Sequence, residues 1–350
     1  MSTLHITNGD CAADTLRLIV TDPVTIMADV LHEGPCPAVD GDAWHDVRGR
    51  FLGSYGYPPD EVKASLAAGD RTVVDACRRG AGIVLWFEHD LFDQLALIRT
   101  LDLIVRLEPD TDTTDTPFAV ESGSSRTLPR VTMICIGSFP GIDRFIGLGQ
   151  LTADQMATLK GTGVPVTAGH FRLATDAWRA FRSPDPAELL DLTLRLSAAQ
   201  TAISEGGPAL PFLGEALLRF FAEYPSASNG LSRTEELALQ ALGAGPTTAG
   251  ALFGVTQDSE PRPFMGDLQF FEALQRLASA RVPLVTSARP HEAIAVGDLI
   301  SITDAGRDVL ARRADHLRLN GIDRWRGGVH LAGTTNSPWR WDAGSETLVS

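Results

Sequence analysis

Two hydrophobic periods alternate along the first 200 residues. Leu4 to Thr7 and Val24 to Ala28 are short strand-like runs, and Ala81 to Phe87 and Val131 to Ile136 are continuous apolar ones. An unbroken apolar run suits a strand buried on both faces of a parallel sheet. Helical spacing fills the intervals: Ala12 to Ile19, Glu61 to Arg79, and Leu91 to Ile104, with Leu91, Leu95, Ile98 and Leu101 on one stripe. From Leu151 to Leu196 the pattern turns helical, opened by Thr152-Ala-Asp-Gln155, a capping box. This alternation predicts βαβ units and an α/β, Rossmann-like open parallel sheet over residues 1–204. Gly34 to Pro59, rich in Gly, Pro and aromatics, is expected as an ordered excursion over the sheet's ligand-binding edge. Pro109 to Pro129, rich in Thr, Asp and Ser, is expected as a surface loop.

Gly206-Gly-Pro208 interrupts the helical period and sets a boundary near Ser204. Residues 205–350 then read as a mostly helical, winged-helix-like α+β domain with a C-terminal strap. Helices are expected over Leu213–Glu223, Leu237–Leu242, Thr248–Phe253 and Asp267–Ala278. Strands at Pro283–Ser287 and Leu299–Thr303 follow, with a helix from Asp304 to Asp315. The helix from Asp267 would be a reading helix, with Gln269, Phe270, Glu272, Gln275 and Arg276 facing outward. A single basic residue there suits a protein contact better than a DNA groove.

Charge narrows the partners. Of 350 residues, 30 are basic and 44 acidic, giving a net charge of −14; up to Ser204 the count is 17 against 27, and after it 13 against 17. Neither part has the positive excess that non-specific nucleic-acid binding draws on, which argues against nucleic acid and anionic membranes. No apolar run reaches the roughly 18–20 residues of a membrane span, and the N-terminus lacks the features of an export signal. Cys11, Cys36, Cys77 and Cys135 form no C-x-x-C pair, so reduced thiols in a cytoplasmic protein are expected. Self-association stays open.

Four polar clusters follow, or are expected to follow, the strands: Asn8-Gly9-Asp10-Cys11, His32-Glu33-Gly34-Pro35, Glu88-His89-Asp90 and Gly137-Ser138-Phe139-Pro140-Gly141. In an open parallel sheet these loops gather on one edge, where ligands bind. Asp10, His32, Glu33, Glu88 and His89 have the side chains that acid–base chemistry needs. Asn8, Gly9 and Cys11 stand at a strand-to-helix turn whose free amides favour an anion. Asp90 is placed as the helix N-cap, with Asp93 beside the positive helix end and Glu88 and His89 left to face the pocket. Gly137, Ser138 and Phe139 offer backbone amides to a phosphate or carboxylate, and Arg144 adds charge. The segment Asn320 to His330 is expected either to strap the C-terminus or to fold back and bring Asp323, Arg324 or His330 to the cleft. Glu88, His89, Asp90 and His32 have the donor types for a divalent metal, but their spacing matches no metal motif. No metal is assigned and the cofactor is unknown.

The turn at Gly9-Asp10-Cys11 resembles the nucleophile block of SGNH hydrolases, with Cys11 at the serine position; that family's late Asp-x-x-His is missing, since the one match, Asp42-Ala-Trp-His45, comes too early. A longer resemblance rests on Leu4-His-Ile-Thr-Asn-Gly-Asp10, Asp29-Val-Leu-His-Glu-Gly-Pro35, Trp86-Phe-Glu-His-Asp90 and Cys135-Ile-Gly-Ser-Phe-Pro-Gly141. With Asn229-Gly-Leu-Ser-Arg-Thr-Glu235 and Asn320-Gly-Ile-Asp-Arg-Trp325, the chain resembles the bacterial family called domain of unknown function 1835. The resemblance implies an α/β N-terminal domain and carries no activity with it. The leading expectation is an enzyme of hydrolase or transferase type acting on a small anionic, phosphorylated or nucleotide-like ligand. The alternative is a metabolite-sensing regulator whose second domain contacts a protein or DNA partner.

Overall fold

The central strand is apolar on both faces because it feeds two cores. In the computed structural model, which describes residues 2–106, 130–201, 209–287, 289, 292–333 and 338–349, Ile83, Leu85 and Phe87 enter the larger buried cluster. Trp86 enters a smaller one with Ala12, Leu16, Ile134 and Leu148. The loop expected over Pro109 to Pro129 and the boundary at Ser204 lie outside the described residues.

The first half runs β1 (Thr3–Thr7), α1 (Asp10–Ile19), β2 (Val24–Ile26), β3 (Gly34–Pro35), α2 (Gly41–Gly53), α3 (Pro59–Arg78), β4 (Gly82–Glu88), α4 (Leu91–Val105) and β5 (Val131–Ile136). A 3-10 turn (Leu148–Gln150), α5 (Ala153–Thr158), β6 (Val164–Pro165), α6 (Ala168–Phe181) and α7 (Ala187–Thr201) complete it. Five strands make one sheet in the order β2-β1-β4-β5-β6, parallel except for β6. The chain leaves β1 toward β2 and re-enters on β1's other side as β4, so the loops after β1 and β4 part to open a crevice.

Three expectations need correction. Gly34 to Pro59 is not all excursion: α2 occupies Gly41–Gly53, burying Trp44, His45, Arg48 and Leu52. The helical stretch after Leu151 is broken by β6, an edge strand. Helix α4 is buried all round rather than on one stripe, Ala96 and Leu97 being as hidden as Leu95 and Ile98. It packs against α6 on one side and against a helix of the second half on another.

The second half runs α8 (Leu213–Phe221), α9 (Arg233–Leu242), β7 (Thr247–Thr248), α10 (Ala249–Asp258), α11 (Asp267–Ser279), β8 (Val285–Ser287), β9 (Leu299–Ile302), α12 (Asp304–Leu310) and α13 (His316–Asn320). Strands β10 (Ile322–Gly327), β11 (Val329–Gly333), β12 (Arg340–Asp342) and β13 (Thr347–Val349) close it. β7, β9 and β8 form an antiparallel sheet, and β12 pairs with β13. The C-terminal segment does fold back: β10 pairs with β11 and, in parallel, with β3, setting Arg326 opposite Gly34. The larger core is continuous across both halves, from Leu4 through Phe220 to Trp341. Among the described residues no helix is long and apolar enough to cross a membrane.

Candidate functional site

At the crevice, α4 begins with its amides turned toward carboxylates. Asp90 caps the helix, its Oδ1 accepting the Asp93 N–H at 3.0 Å. Asp93 Oδ1 accepts the Glu88 N–H at 2.8 Å, and its other oxygen accepts the Asn8 side-chain amide from the loop after β1. Glu88, the last residue of β4, accepts the Leu148 N–H and lies under Gly147. A Cβ added at Gly147 would stand 2.2 Å from Glu88 Oε2, so the bare backbone lets the connection after β5 close over this carboxyl. Oxygens of Glu88, Asp90 and Asp93 lie within 4.8 Å of one another, a spacing able to hold a divalent cation.

All three are buried, and among the described residues none forms an ion pair. Burial is the first cause that moves their protonation upward, with repulsion between the carboxylates adding to it for Glu88 and Asp93. Glu88 is pushed up to about 8, Asp90 to about 7, and Asp93 also well above the ordinary range. A trio so placed is held partly protonated near neutral pH rather than fully ionised.

Asn8, Asp90 and Asp93 form the polar floor of a cleft of about 580 Å³ between the two halves. Its walls are Phe92 and Ile146 from the first half and Phe253, Phe264 and Met265 from the second. Gln257 and Gln269 add amides, and Arg144 stands at the rim. Arg144 donates to Asp258 and to the Gln257 carbonyl, tying the rim to α10.

The loop at 29–35 is fixed by one buried arginine. Arg48 grips Asp29 through Nε and Nη2, at 3.0 and 2.7 Å, and donates to the carbonyls of Val30, Glu33 and Pro35. This sets His32 edge-on to Phe264 at 5.0 Å and near Phe92 at 6.1 Å, both cleft walls. His32 is 1% exposed with both ring nitrogens unpartnered, and burial lowers its pKa to about 4. Glu33 turns away into ion pairs with Arg276 (3.4 Å) and Arg326 (3.7 Å), and accepts the Tyr55 hydroxyl at 3.1 Å. Burial alone would raise its pKa, but the two arginines outweigh it and hold the group down to about 2.

Several expected site residues stand elsewhere. Asp90 and Asp93 line the cleft, whereas Glu88 is roofed and His89 lies between Phe145 and Phe212, each at 6.0 Å. Burial first, then Arg262, lowers the His89 pKa to about 4. Asp10 and Cys11 are exposed on the first turn of α1, and Asp10 borders a separate cavity of about 190 Å³ with Asp29 and Asp70. Gly9 precedes that helix in extended backbone. Gly137 is pressed against Phe212 and His89, Ser138 is exposed, and Phe139 packs on the smaller core, so none of the three lines the cleft. Arg324 pairs with Glu235 at 2.6 Å beside another cavity; Arg326, two residues on, is the one that reaches Glu33. On α11, Gln269 and Phe270 are buried, Gln275 accepts the Ile294 N–H at 3.0 Å, and Arg276 is taken by Glu33; of the positions expected outward, Glu272 is exposed.

Asp93 and the walls Phe92, Phe264 and Met265 were not singled out as site residues. The Asp90-x-x-Asp93 spacing is the signal for the first; the others come from two halves that no local pattern connects. No protein-family model matches the chain, and no curated protein matches it.

Proposed function

We propose that the protein is an enzyme of hydrolase or transferase type, cytoplasmic in setting, acting on a small anionic ligand in the cleft between its halves. The supporting observation is the trio of buried carboxyls, none of them in an ion pair among the described residues, at the point where β1 and β4 diverge; Arg262 acts on Asp90 from beyond ion-pair distance. Such groups are costly to bury and serve no ion pair, and proton affinities near neutrality suit general acid–base work. Asp90 is the exchanging acid–base group, since it lines the cleft. Asp93 and Glu88 set its proton affinity, and Asn8 orients Asp93. An anionic group of the ligand is received at the Arg144 rim in exchange for the Asp258 carboxylate that Arg144 holds there. In this reading the first half is Rossmann-like, with its ligand at the edge where such sheets bind them.

A second reading is favoured by one further feature. The order α9, β7, α10, α11, β8, β9 is that of a winged helix, and its would-be reading helix contributes Gln269 to the same cleft. A bound metabolite would press on that helix, as a sensor requires. DNA is the weaker partner in that reading, because Arg276 of the helix is already paired with Glu33.

The test is a thermal-shift and turnover screen of nucleotides, sugar phosphates and acyl esters, with and without divalent metal, against wild type and Asp90→Asn. Asn keeps the helix cap but not the exchangeable proton, so a drop in kcat of about 10²-fold or more with unchanged folding is expected. Full activity in Asp90→Asn overturns the enzymatic reading.

A further inference from the structure

Arg324, expected at the cleft, stands in a second cavity of about 340 Å³ where the end of α11 meets α13 and β10. The polar side chains of this cavity are Arg276 from α11, His316 and Asn320 from α13, and Asp323 and Arg324 from β10; Ala280 adds an apolar wall.

The two arginines are anchored from behind. Arg324 holds Glu235 at 2.6 Å, and Arg276 holds Glu33 at 3.4 Å. Both carboxylates are buried, and neither lines the cavity. Each of these contacts runs through one nitrogen of a guanidinium that carries five N–H donors. No other hydrogen bond holds either side chain among the described residues, and Arg276 Nε is buried without a partner. Both forks therefore keep donors for the cavity they line. Burial, with Arg276 adding to it, lowers the Arg324 pKa although Glu235 opposes. An anion between the two cations would relieve that repulsion.

The remaining polar groups add a donor and leave the arginines unanswered. Asn320 Nδ2 donates to the Val282 carbonyl at 3.1 Å and to His316 Nδ1 at 3.2 Å, and its Oδ1 accepts the Val282 N–H at 2.8 Å. Because Nδ1 accepts, the proton of the neutral ring sits on Nε2, a donor with no partner among the described residues. Burial lowers the His316 pKa, so the ring is neutral at pH 7. Asp323 gives its carboxylate to His330 at 2.7 Å and is 85% exposed, away from both arginines. The surroundings carry the same sign. From Arg307 to Arg340 there are seven arginines and three aspartates, in a chain of net charge −14. Arg312 and Arg318 line an adjoining cavity that shares Gly333, and neither forms an ion pair among the described residues.

We propose that this cavity is a binding site for a small oxyanion, a carboxylate or a phosphate ester, separate from the cleft. The oxyanion is held by the free N–H groups of Arg276 and Arg324 and by His316 Nε2–H, three donors from three elements. Guanidinium forks match the spacing of carboxylate and phosphate oxygens. A volume of about 340 Å³ is at the small end of ligand sites, which limits the occupant to a small metabolite.

The full-length protein is titrated by calorimetry with succinate, glycerol 3-phosphate and uncharged glycerol at constant ionic strength. At least one anion is expected to bind about tenfold or more tighter than glycerol, and whichever binds tighter names the oxyanion class. Ala280→Leu fills the cavity while both ion pairs stay, and should weaken that binding about tenfold or more with folding unchanged. Arg324→Lys keeps a cation on Glu235 but loses the fork; it should weaken binding similarly, and it decides the matter if Ala280→Leu folds poorly. Arg144→Ala, at the rim of the cleft, should leave the binding unaltered. Glycerol binding as tightly as the anions, or binding of neither anion, overturns the proposal. So does anion binding that survives Arg324→Lys or a folded Ala280→Leu undiminished. Binding lost in Arg144→Ala but kept in Ala280→Leu places the anion in the cleft, where the enzymatic reading stands and this proposal fails.

Discussion

Two buried acidic groups, Asp90 and Glu33, respond to pH in opposite senses. For Asp90 the folded pKa lies above the unfolded one, so the native state holds the proton more tightly. Its contribution is complete below about pH 4 and is lost as pH rises through about 7. Asp90→Asn should thus reduce the fall in melting temperature between pH 5 and 7, to which Glu88 and Asp93 also contribute, and gain on the order of 1–2 kcal/mol at pH 8; scanning calorimetry from pH 5 to 8 checks it. Glu33 is the reverse case, its folded pKa held down to about 2. Its contribution is present above about pH 4.5 and fades as pH falls toward 2. Glu33→Gln leaves Arg276 and Arg326 facing each other in a buried place, and a loss of about 3–5 kcal/mol in urea unfolding at pH 7 is expected. A loss below about 1 kcal/mol would mean that Glu223, 3.7 Å from Arg326, and Glu235 and Glu272 beside Arg276 take over the compensation.

Among the elements, the β10–β11 hairpin depends on a bare backbone at its turn. Gly327 has φ +60, and a Cβ there would approach the Phe181 carbonyl to 2.4 Å; at Gly328 it would come within 2.0 Å of the Arg182 carbonyl oxygen. The hairpin can lie against the end of α6 only without those side chains. Gly328→Ala should cost about 1–3 kcal/mol, and hydrogen exchange should show β10 and β3 loosening together, since Cys36 N–H bonds the Gly327 carbonyl at 2.8 Å. Exchange confined to the turn would separate the hairpin from the loop at 29–35. Other elements carry their own stops and starts. Thr152 and Ser232 both close capping boxes with the glutamine or glutamate three residues on, and Thr152-Ala-Asp-Gln155 is legible in the sequence because the motif is local.

At the scale of the molecule, the core passes without a break from the five-strand sheet into the second half, and α4 is covered by α8. A single cooperative urea transition is expected, seen alike by tryptophan fluorescence and circular dichroism. A chain ended at Ser204 would expose the α8-facing side of α4 and should be far less stable than the whole. Two resolved transitions, or a stable fragment, would show that the halves fold independently.

What the sequence determined on its own was local or periodic. The runs at Ala81–Phe87 and Val131–Ile136 demanded strands buried on both sides, Asp90 stood where a helix needs a cap, and successive loops had to share one sheet edge. Helix α2 escaped notice because glycines and prolines flank a face, Trp44, Arg48 and Leu52, whose partners are distant in the chain. Only the tertiary structure decided that Glu88 is roofed by Gly147, that Glu33 belongs to Arg276 and Arg326, and that the cleft's far wall comes from Phe264 and Met265. Periodicity records which residues leave water; it does not record which distant segment meets them, and burial and pairing between distant segments set the charge of every acid at this site.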